Sequence, residues 1–234
     1  IPMVKLWNRK DKQSVYFNQI KNQLVSFSED PSIIEATKQF KKGFQQVTTE
    51  LHFNDKNFAQ RHNKMDTYID SIFIPELNKN SIGVVNKKNL EPKNPNALLL
   101  QQLFIAENPN KLGEKHLLDS VPQNCSYNKT HKKFHPVIRN YLERFGYYDI
   151  FLIDNETGDV LYTVYKEIDF ASSLQTGAYR NTNLAESFNK ALNIKNKEDV
   201  ALVDYAEYLP SYNAPASFIA CPIFDKGVII GVLA

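Results

Sequence analysis

The stretch YYDIFLIDNETGDVLYTVY, residues 147–165, decides the fold of this chain. Aromatic and β-branched residues dominate its two arms, which is typical of strands, and the segment between them, DNETGD at residues 154–159, is rich in turn-forming residues. Gly158 stands where a hairpin needs a left-handed backbone. The stretch therefore predicts a β-hairpin with strands over Tyr147–Ile153 and Val160–Tyr165.

The residues that follow predict the rest of a sheet. Asn183–Leu192 has the period of a crossover helix, and Val200–Asp204 reads as a further strand. The loop from Tyr208 to Ala216 precedes a second hairpin, whose strand, turn and return strand are Ser217–Phe224, Asp225–Gly227 and Val228 onward. We therefore expect five antiparallel strands in the second half of the chain.

The residues before the first hairpin have helical period instead. An apolar stripe of Phe17, Ile20, Leu24 and Phe27 predicts a long N-terminal helix, interrupted at Asp30–Pro31, with Ser32 as the N-cap of a second helix through Ile33, Phe40, Phe44 and Val47. Further helices are expected at Phe58–Phe73, Leu98–Ala106 and Thr130–Phe145, with Gly146 as the last stop and a loop over residues 76–97.

Together these patterns predict an α+β fold, in which a long N-terminal helix and a helical region precede a five-stranded antiparallel sheet. We expect two parts, a helical region over residues 1–129 and a sheet module over residues 130–234. The 234 residues, 42% of them hydrophobic, are enough to build a real core.

Composition and motifs exclude several functional classes. The net charge is only +2 and the 28 Lys and Arg residues form no basic stripe, so a nucleic-acid partner is not expected. The sequence has no glycine-rich phosphate loop, nucleophile elbow, zinc-protease helix or calcium loop, which removes the readily recognised enzyme classes without excluding others. We expect neither an enzyme nor a cofactor. It has no run of 18 apolar residues. Cys125 and Cys221 form no metal motif, and a disulfide between them stays open.

One helix face carries His131, His135 and Arg139 at spacings of four residues. Two histidines at this spacing suit a transition metal, but the neighbouring lysines disfavour a cation. The line suits an anion or a carboxylate better, because the arginine offers a fixed fork of donors. The alternative is an ordinary polar helix face.

Polar residues also crowd the ends of the predicted strands. Each of these residues alone is more typical of local hydrogen bonding, but tyrosines grouped with carboxylates and amides are what a small polar ligand needs, so the group as a whole favours a pocket. The candidate ligand-binding residues are His135, Arg139, Tyr148, Asp149, Tyr162, Lys166, Asp169, Tyr179, Asn181, Asp204, Tyr212 and Asn213.

The hairpin phrase FGYYDIFLIDNETGDVLY at 145–162, with KEIDFASSL at 166–174 and GAYRNTNLA at 177–185, resembles the Cache (PDC) sensor domains. The upstream phrase QLVSFSEDP at 23–31 is similar to the long N-terminal helix of those sensors. The resemblance covers most of the chain and is strongest over residues 130–234.

This resemblance implies a PAS-like sheet and an extracytoplasmic sensor on the periplasmic side of the bacterial inner membrane. Such domains lie between two membrane helices, here expected outside the sequence, in chemotaxis receptors, histidine kinases and nucleotide or diguanylate cyclases. It implies a small ligand, an organic acid, amino acid or similar metabolite, with Arg139 at a carboxylate and Asp169 or Asp204 at an amine.

The apolar stripe of the N-terminal helix is expected either to pair in a homodimer or to pack on the chain's own sheet. Two other functions stay open beside the sensor. One is a metal-dependent hydrolase that uses His131, His135 and an aspartate, and the other is an interaction module without a small ligand.

Overall fold

The computed structural model describes residues 9–53, 63–80 and 90–234. Within these ranges, helices precede and cover a five-stranded antiparallel sheet, so the predicted α+β class is confirmed. The helices are α1 (Arg9–Ser28), α2 (Pro31–Glu50), α3 (Ile74–Asn80), α4 (Pro95–Gln101), α5 (Ser126–Phe145) and α6 (Asn183–Leu192). The strands are β1 (Phe151–Asp154), β2 (Val160–Thr163), β3 (Ala201–Tyr208), β4 (Ala214–Asp225) and β5 (Val228–Leu233).

The break between α1 and α2 lies where the sequence predicts it, but its cap differs. Asp30, not Ser32, is the N-cap, and its carboxylate accepts the backbone N–H of Ser32 at 2.7 Å. Pro31 occupies the first helical position, where a missing N–H costs nothing, so the cap must precede the proline. The prediction of Ser32 as cap was wrong for this reason.

Two predicted boundaries around the helical region are also wrong. Residues 63–80 stay helical through Pro75, where the sequence predicted an end, because a π-turn at Ile69–Phe73 widens the helix just before the proline. The predicted loop over 76–97 is therefore helical to Asn80. The prediction over residues 58–62 and 81–89 lies outside the described residues.

The predicted helix at Leu98–Ala106 starts earlier than expected. It begins as α4 at Pro95, capped by the Asn94 side chain, which accepts the N–H of Asn96 at 2.9 Å. A π-turn at Gln102–Ala106 continues it. An Asn-Pro pair that reads as a loop signal is here a helix start.

Helix α5 begins at Ser126, four residues before the predicted Thr130, because Glu50 of α2 accepts the Ser126 N–H and hydroxyl at 2.5 and 2.6 Å. Its predicted stop is confirmed, since Gly146 has φ 71°.

Helix α2 packs directly on α5: a Cβ added at Gly43 would lie 2.8 Å from the backbone of Tyr127. Glycine is therefore what allows the two helices to approach this closely.

The sheet has the order β2-β1-β5-β4-β3. The hairpin of the first stretch is confirmed, with Gly158 at φ 67°. Strands β1 and β2 are shorter than predicted, since Tyr147–Ile150 and Val164–Tyr165 lie outside the ladder. In place of the ladder, Oδ1 of Asp149 accepts the backbone N–H groups of Val164 and Tyr165 at 2.8 and 3.3 Å.

The second half of the sheet is longer than predicted. Strand β3 runs past Asp204 to Tyr208, and β4 starts at Ala214 instead of Ser217. The predicted Asp225–Gly227 turn is confirmed by Lys226 and Gly227, which have φ values of 50° and 85°.

One hydrophobic cluster joins residues from both predicted parts of the chain, although the boundary at residues 129 and 130 stays a prediction. Phe27 of α1 is buried and stacks on Tyr141 at 3.8 Å, whereas the other three residues of the predicted apolar stripe are only partly buried. The homodimer thus stays a prediction. In the described ranges, no helix has the length and apolar character needed to cross a bilayer.

Both cysteines are buried and neither forms a disulfide. Cys221 on β4 lies beneath α1, with its Sγ 3.9 Å from the carbonyl oxygen of Leu24. Burial raises the pKa of its thiol to about 12.

The contact between α2 and α5 generates a stability prediction. Gly43→Ala adds a methyl group against the backbone of Tyr127, and overpacking of this kind costs about 1–3 kcal/mol, which outweighs the gain in helix propensity of up to about 1 kcal/mol. We expect a lower melting temperature. Gln46→Ala, at an exposed position of the same helix, is the control and should be neutral or stabilising. A stabilised Gly43→Ala protein would contradict the contact.

Candidate functional site

The candidate site lies where the loop after β2, residues 164–170, meets the end of β3. We call these residues the acidic loop. Tyr208 donates its hydroxyl to Oδ2 of Asp169 at 2.5 Å, and Ser211 donates to Oε2 of Glu167 at 2.7 Å. Two side-chain hydrogen bonds thus hold the acidic loop to the connection between β3 and β4.

Four ionisable groups collect at this junction, and we call them the acidic cluster: Asp149, Lys166, Glu167 and Asp169. The carboxyl groups interact with one another: the charge of Asp169 is the second largest cause, after burial, of the raised pKa of both Asp149 and Glu167. The cluster holds three carboxylates against one ammonium. It therefore carries an excess of negative charge when all four groups are ionised.

Lys166 is buried, with 1% of its surface exposed. Its Nζ donates to the carbonyl oxygen of Thr163 and lies 4.2 and 5.3 Å from the ring centroids of Tyr162 and Phe170. Burial lowers the pKa of this amine, and the nearby Asp149 opposes that change. The ammonium is therefore already engaged by a carbonyl and two aromatic faces.

Burial shifts the three carboxyl groups toward their neutral forms. It raises the pKa of Asp169 to about 6, although the hydrogen bond from Tyr208 favours the ionised form. Burial raises the pKa of Glu167 well above its usual value, with the Asp169 charge as the next cause. Strongly shifted carboxyl groups in one place are typical of functional sites, because structure alone gains nothing from burying like charges.

Two buried polar atoms at this junction have no hydrogen-bond partner among the described residues. They are Oδ1 of Asp169 and the hydroxyl of Tyr179, and each side chain belongs to a residue only 1% exposed. The Asp169 charge also contributes to the raised pKa of Tyr179, so the two groups face a common environment. An unpaired buried group costs about 1–3 kcal/mol, which a ligand or a water would recover.

Strained backbone is concentrated in the same segments. Of six described non-glycine residues with positive φ, four flank the junction: Lys166 at 58°, Ala171 at 63°, Tyr212 at 57° and Asn213 at 59°. Each such residue costs about 1–2 kcal/mol relative to ordinary backbone. Strained backbone persists only where the surrounding contacts hold it in place, and it is found most often at ligand-binding and switch segments.

A cavity of about 590 Å³ opens beside the cluster. Its walls include Tyr148, Tyr165 and Tyr212, and Glu167 of the acidic loop borders it. The rings of Tyr148 and Tyr165 are stacked, with centroids 6.1 Å apart. This size is within the range of ligand pockets for small molecules.

Three consecutive residues connect the site to helix α1. Tyr147 donates its hydroxyl to Oε1 of Gln23 on α1 at 2.6 Å. The hydroxyl of the next residue, Tyr148, lies 3.4 Å from Oε1 of Glu167. The carboxylate of Asp149 accepts a backbone N–H of the acidic loop. A displacement of residues 147–149 therefore acts on α1 directly.

The structure brings together half of the sequence-predicted ligand residues. Asn181 and Asp204 are exposed, and the Asp204 carboxylate accepts the N–H of Tyr205 at 2.7 Å. Tyr162 lies under the Lys166 ammonium, and Asn213 forms the strained turn with Tyr212. The residues at the acidic cluster or its cavity are Tyr148, Asp149, Lys166, Asp169, Tyr179 and Tyr212.

The predicted histidine and arginine line has partners within the protein. Both ring nitrogens of His135 are engaged, with the Tyr162 hydroxyl and the His116 carbonyl oxygen at 2.6 Å each. Arg139 donates to the same carbonyl oxygen and to Asp119 at 2.8 Å. A carboxylate ligand at this line would have to displace both interactions. Within the described ranges, no three His, Cys, Asp or Glu residues are grouped to hold a metal ion.

Four residues of the site were not among the candidate ligand-binding residues predicted from the sequence: Glu167, Tyr165, Tyr208 and Ser211. Glu167 and Tyr165 had a usable signal, since both lie in the YKEID segment between two residues that were selected. Tyr208 and Ser211 had none, because their role depends on a contact with a loop about 40 positions earlier. The comparisons add no relative: no family model, no curated protein and no solved structure matches the chain.

The raised pKa of Asp169 generates a prediction on pH and stability. A carboxyl whose pKa is about 6 folded and 3.8 unfolded binds its proton more tightly in the folded state, so its contribution is complete below pH 4 and is lost as the pH rises through 6. Asp169→Asn removes this loss. We expect the variant to be more stable at pH 7.5, by up to about 3 kcal/mol, with a shallower decline between pH 4 and 7.

Thermal or urea unfolding from pH 4 to 8 measures this effect. Asp204→Asn, an exposed aspartate on β3, is the control and should keep the wild-type pH profile. An unchanged profile in Asp169→Asn, or a less stable variant at pH 7.5, would show that the Asp169 carboxylate is well accommodated when ionised.

Proposed function

We propose that this chain is the extracytoplasmic small-molecule sensor domain of a bacterial transmembrane receptor, with its ligand bound at the acidic cluster and the adjoining cavity. The proposal covers binding and not catalysis. It places the domain on the periplasmic side of the inner membrane, with flanking membrane helices outside the sequence given.

The observation that carries the proposal is the unpaired Oδ1 of Asp169. Asp169 is 1% exposed, and among the described residues neither its Oδ1 nor the nearby Tyr179 hydroxyl has a hydrogen-bond partner. Buried polar groups are retained without partners where a ligand, ion or water completes them. The resemblance to Cache domains, which covers the same segments, supports a ligand as that partner.

The two loops at the site supply a means of response. They carry the strained residues and are joined by the Tyr208–Asp169 and Ser211–Glu167 hydrogen bonds. A ligand that pairs with either carboxylate changes the balance between the present arrangement and a rearranged one by its difference in affinity for the two. The Tyr147–Gln23 hydrogen bond passes this change to α1.

A ligand screen tests the proposal. Amino acids, amines, organic acids and sugars are added to the purified domain. Compounds that raise its melting temperature are then tested for binding by titration calorimetry. We expect at least one compound to stabilise the domain, and Asp169→Asn to weaken its binding at least about tenfold, because a charge-assisted hydrogen bond contributes about 1.5–3 kcal/mol. Asp204→Asn should stay within about twofold of the wild type.

Two results would refute this assignment. The first is a screen in which no compound binds. The second is a bound ligand whose affinity is unchanged in both Asp169→Asn and Asp169→Ala, with both variants folded by circular dichroism.

The link to α1 can be tested separately with Tyr147→Phe. This change removes the hydroxyl that bonds Gln23 and leaves the ring, so ligand affinity should stay within about twofold. We expect the ligand-induced change in amide hydrogen exchange over residues 14–28 to shrink in the variant. Tyr205→Phe, at an exposed position of β3, is the matched control. An undiminished response in α1 would show that the signal takes another route.

A further inference from the structure

Tyrosines and glutamates make up most of the lining of the cavity beside the acidic cluster, and Leu112, Gly113 and Gly146 complete it. Four tyrosines, Tyr147, Tyr148, Tyr165 and Tyr212, border it together with the carboxylates of Glu76 and Glu167. No lysine, arginine or histidine is among its described lining residues. Aromatic faces and carboxylates both attract positive charge, so both kinds of lining residue favour a cation.

The cations that lie nearby are engaged elsewhere. Lys166 donates to Thr163 and lies between two aromatic rings, and Arg139 is held by His116 and Asp119. Lys79 pairs with Glu76 at 2.6 Å, but its side chain is 66% exposed, so solvent screens this pair. None of these three side chains therefore pairs with Glu167, whose carboxyl group is bonded by Ser211 and Tyr148 instead.

The cavity suits an organic cation better than a metal ion or an anion. A hard metal ion needs several oxygen ligands at short range, and the described residues form no such group. An anion would face Glu167 and Glu76 directly. An alkylammonium group gains from tyrosine faces and from carboxylates at the same time, and about 590 Å³ holds a small one with its alkyl substituents.

We propose that the ligand of this domain is a small alkylammonium compound, whose cationic nitrogen lies between the tyrosine walls and Glu167. This inference rests on the proposed function and names the ligand class for the same site. The stacked pair of Tyr148 and Tyr165 forms one wall, and Tyr212, which packs on Phe73 with ring centroids 5.2 Å apart, forms another.

The test compares cations with neutral molecules of the same shape. Choline is titrated against 3,3-dimethyl-1-butanol, which replaces the nitrogen by carbon, and butylammonium against 1-butanol, which replaces the ammonium by a hydroxyl, with succinate as an anionic probe. Calorimetry on the wild-type domain at low salt gives the affinities. We expect at least one cation to bind at least about tenfold tighter than its neutral counterpart, and succinate not to bind.

Side-chain variants locate the cation. Tyr165→Leu removes a π-face and should weaken binding by about fivefold or more, whereas Tyr165→Phe keeps the face and should stay within about twofold. Glu167→Gln should weaken binding about tenfold, because a bound cation favours the ionised form of Glu167, which the amide cannot adopt. Tyr205→Leu, an exposed tyrosine that does not border this cavity, should bind as the wild type does.

The outcomes separate this inference from the one on which it rests. Equal affinity for cations and their neutral counterparts, or preferential binding of succinate, overturns the alkylammonium inference in the wild-type protein, whatever the variants do. If the wider screen then finds another compound whose binding needs Asp169, the sensor proposal stands. If no compound of any class binds, both proposals fail.

Discussion

The structure of the site depends on Asp149, whose carboxylate takes the place of backbone partners where the β1–β2 ladder ends. Strands β1 and β2 begin as an ordinary antiparallel hairpin, and they separate where the Asp149 carboxylate accepts two backbone N–H groups of the facing segment. Those N–H groups keep their partners without a continued strand, so the chain can leave the sheet at no cost in unpaired backbone. The acidic loop, with Glu167 and Asp169, exists because of this exit.

The acidic loop in turn concentrates groups that do not favour stability. Carboxyls with raised pKa values, a buried lysine, unpaired oxygens and left-handed backbone all lie within a short distance along the chain. Elsewhere the molecule has capped helices, a glycine where two helices meet and an apolar core across helices and sheet, although six further buried polar atoms of the described residues also have no partner. Local departures from consistent folding rules are expected at functional or strained sites.

Much of the fold could be predicted from the sequence because its signals are local. The turn at Gly158, the stop at Gly146 and the crossover helix at Asn183–Leu192 depend on backbone propensity and periodicity within a few residues. The cap at Asp30 and the helix through Pro75 were mispredicted because proline reads as a breaker unless its position in the turn is known.

The site was predictable only in part. Asp169 and Tyr148 were found because polar residues at strand ends are conspicuous, but Tyr208 was not, since its partner is remote in sequence. The same limit explains Arg139. Its helical position is as predicted, yet whether its donors are free depends on the carbonyl of His116, which no periodicity reveals.

The packing of α1 over Cys221 gives the molecule a built-in chemical reporter. A thiol that is buried, and whose thiolate is disfavoured by burial, reacts with alkylating reagents only during excursions in which the covering helix lifts away. The alkylation rate of this one sulfur therefore counts the openings of α1 without any added label, in the unaltered chain and over a timescale that reaches from seconds to hours.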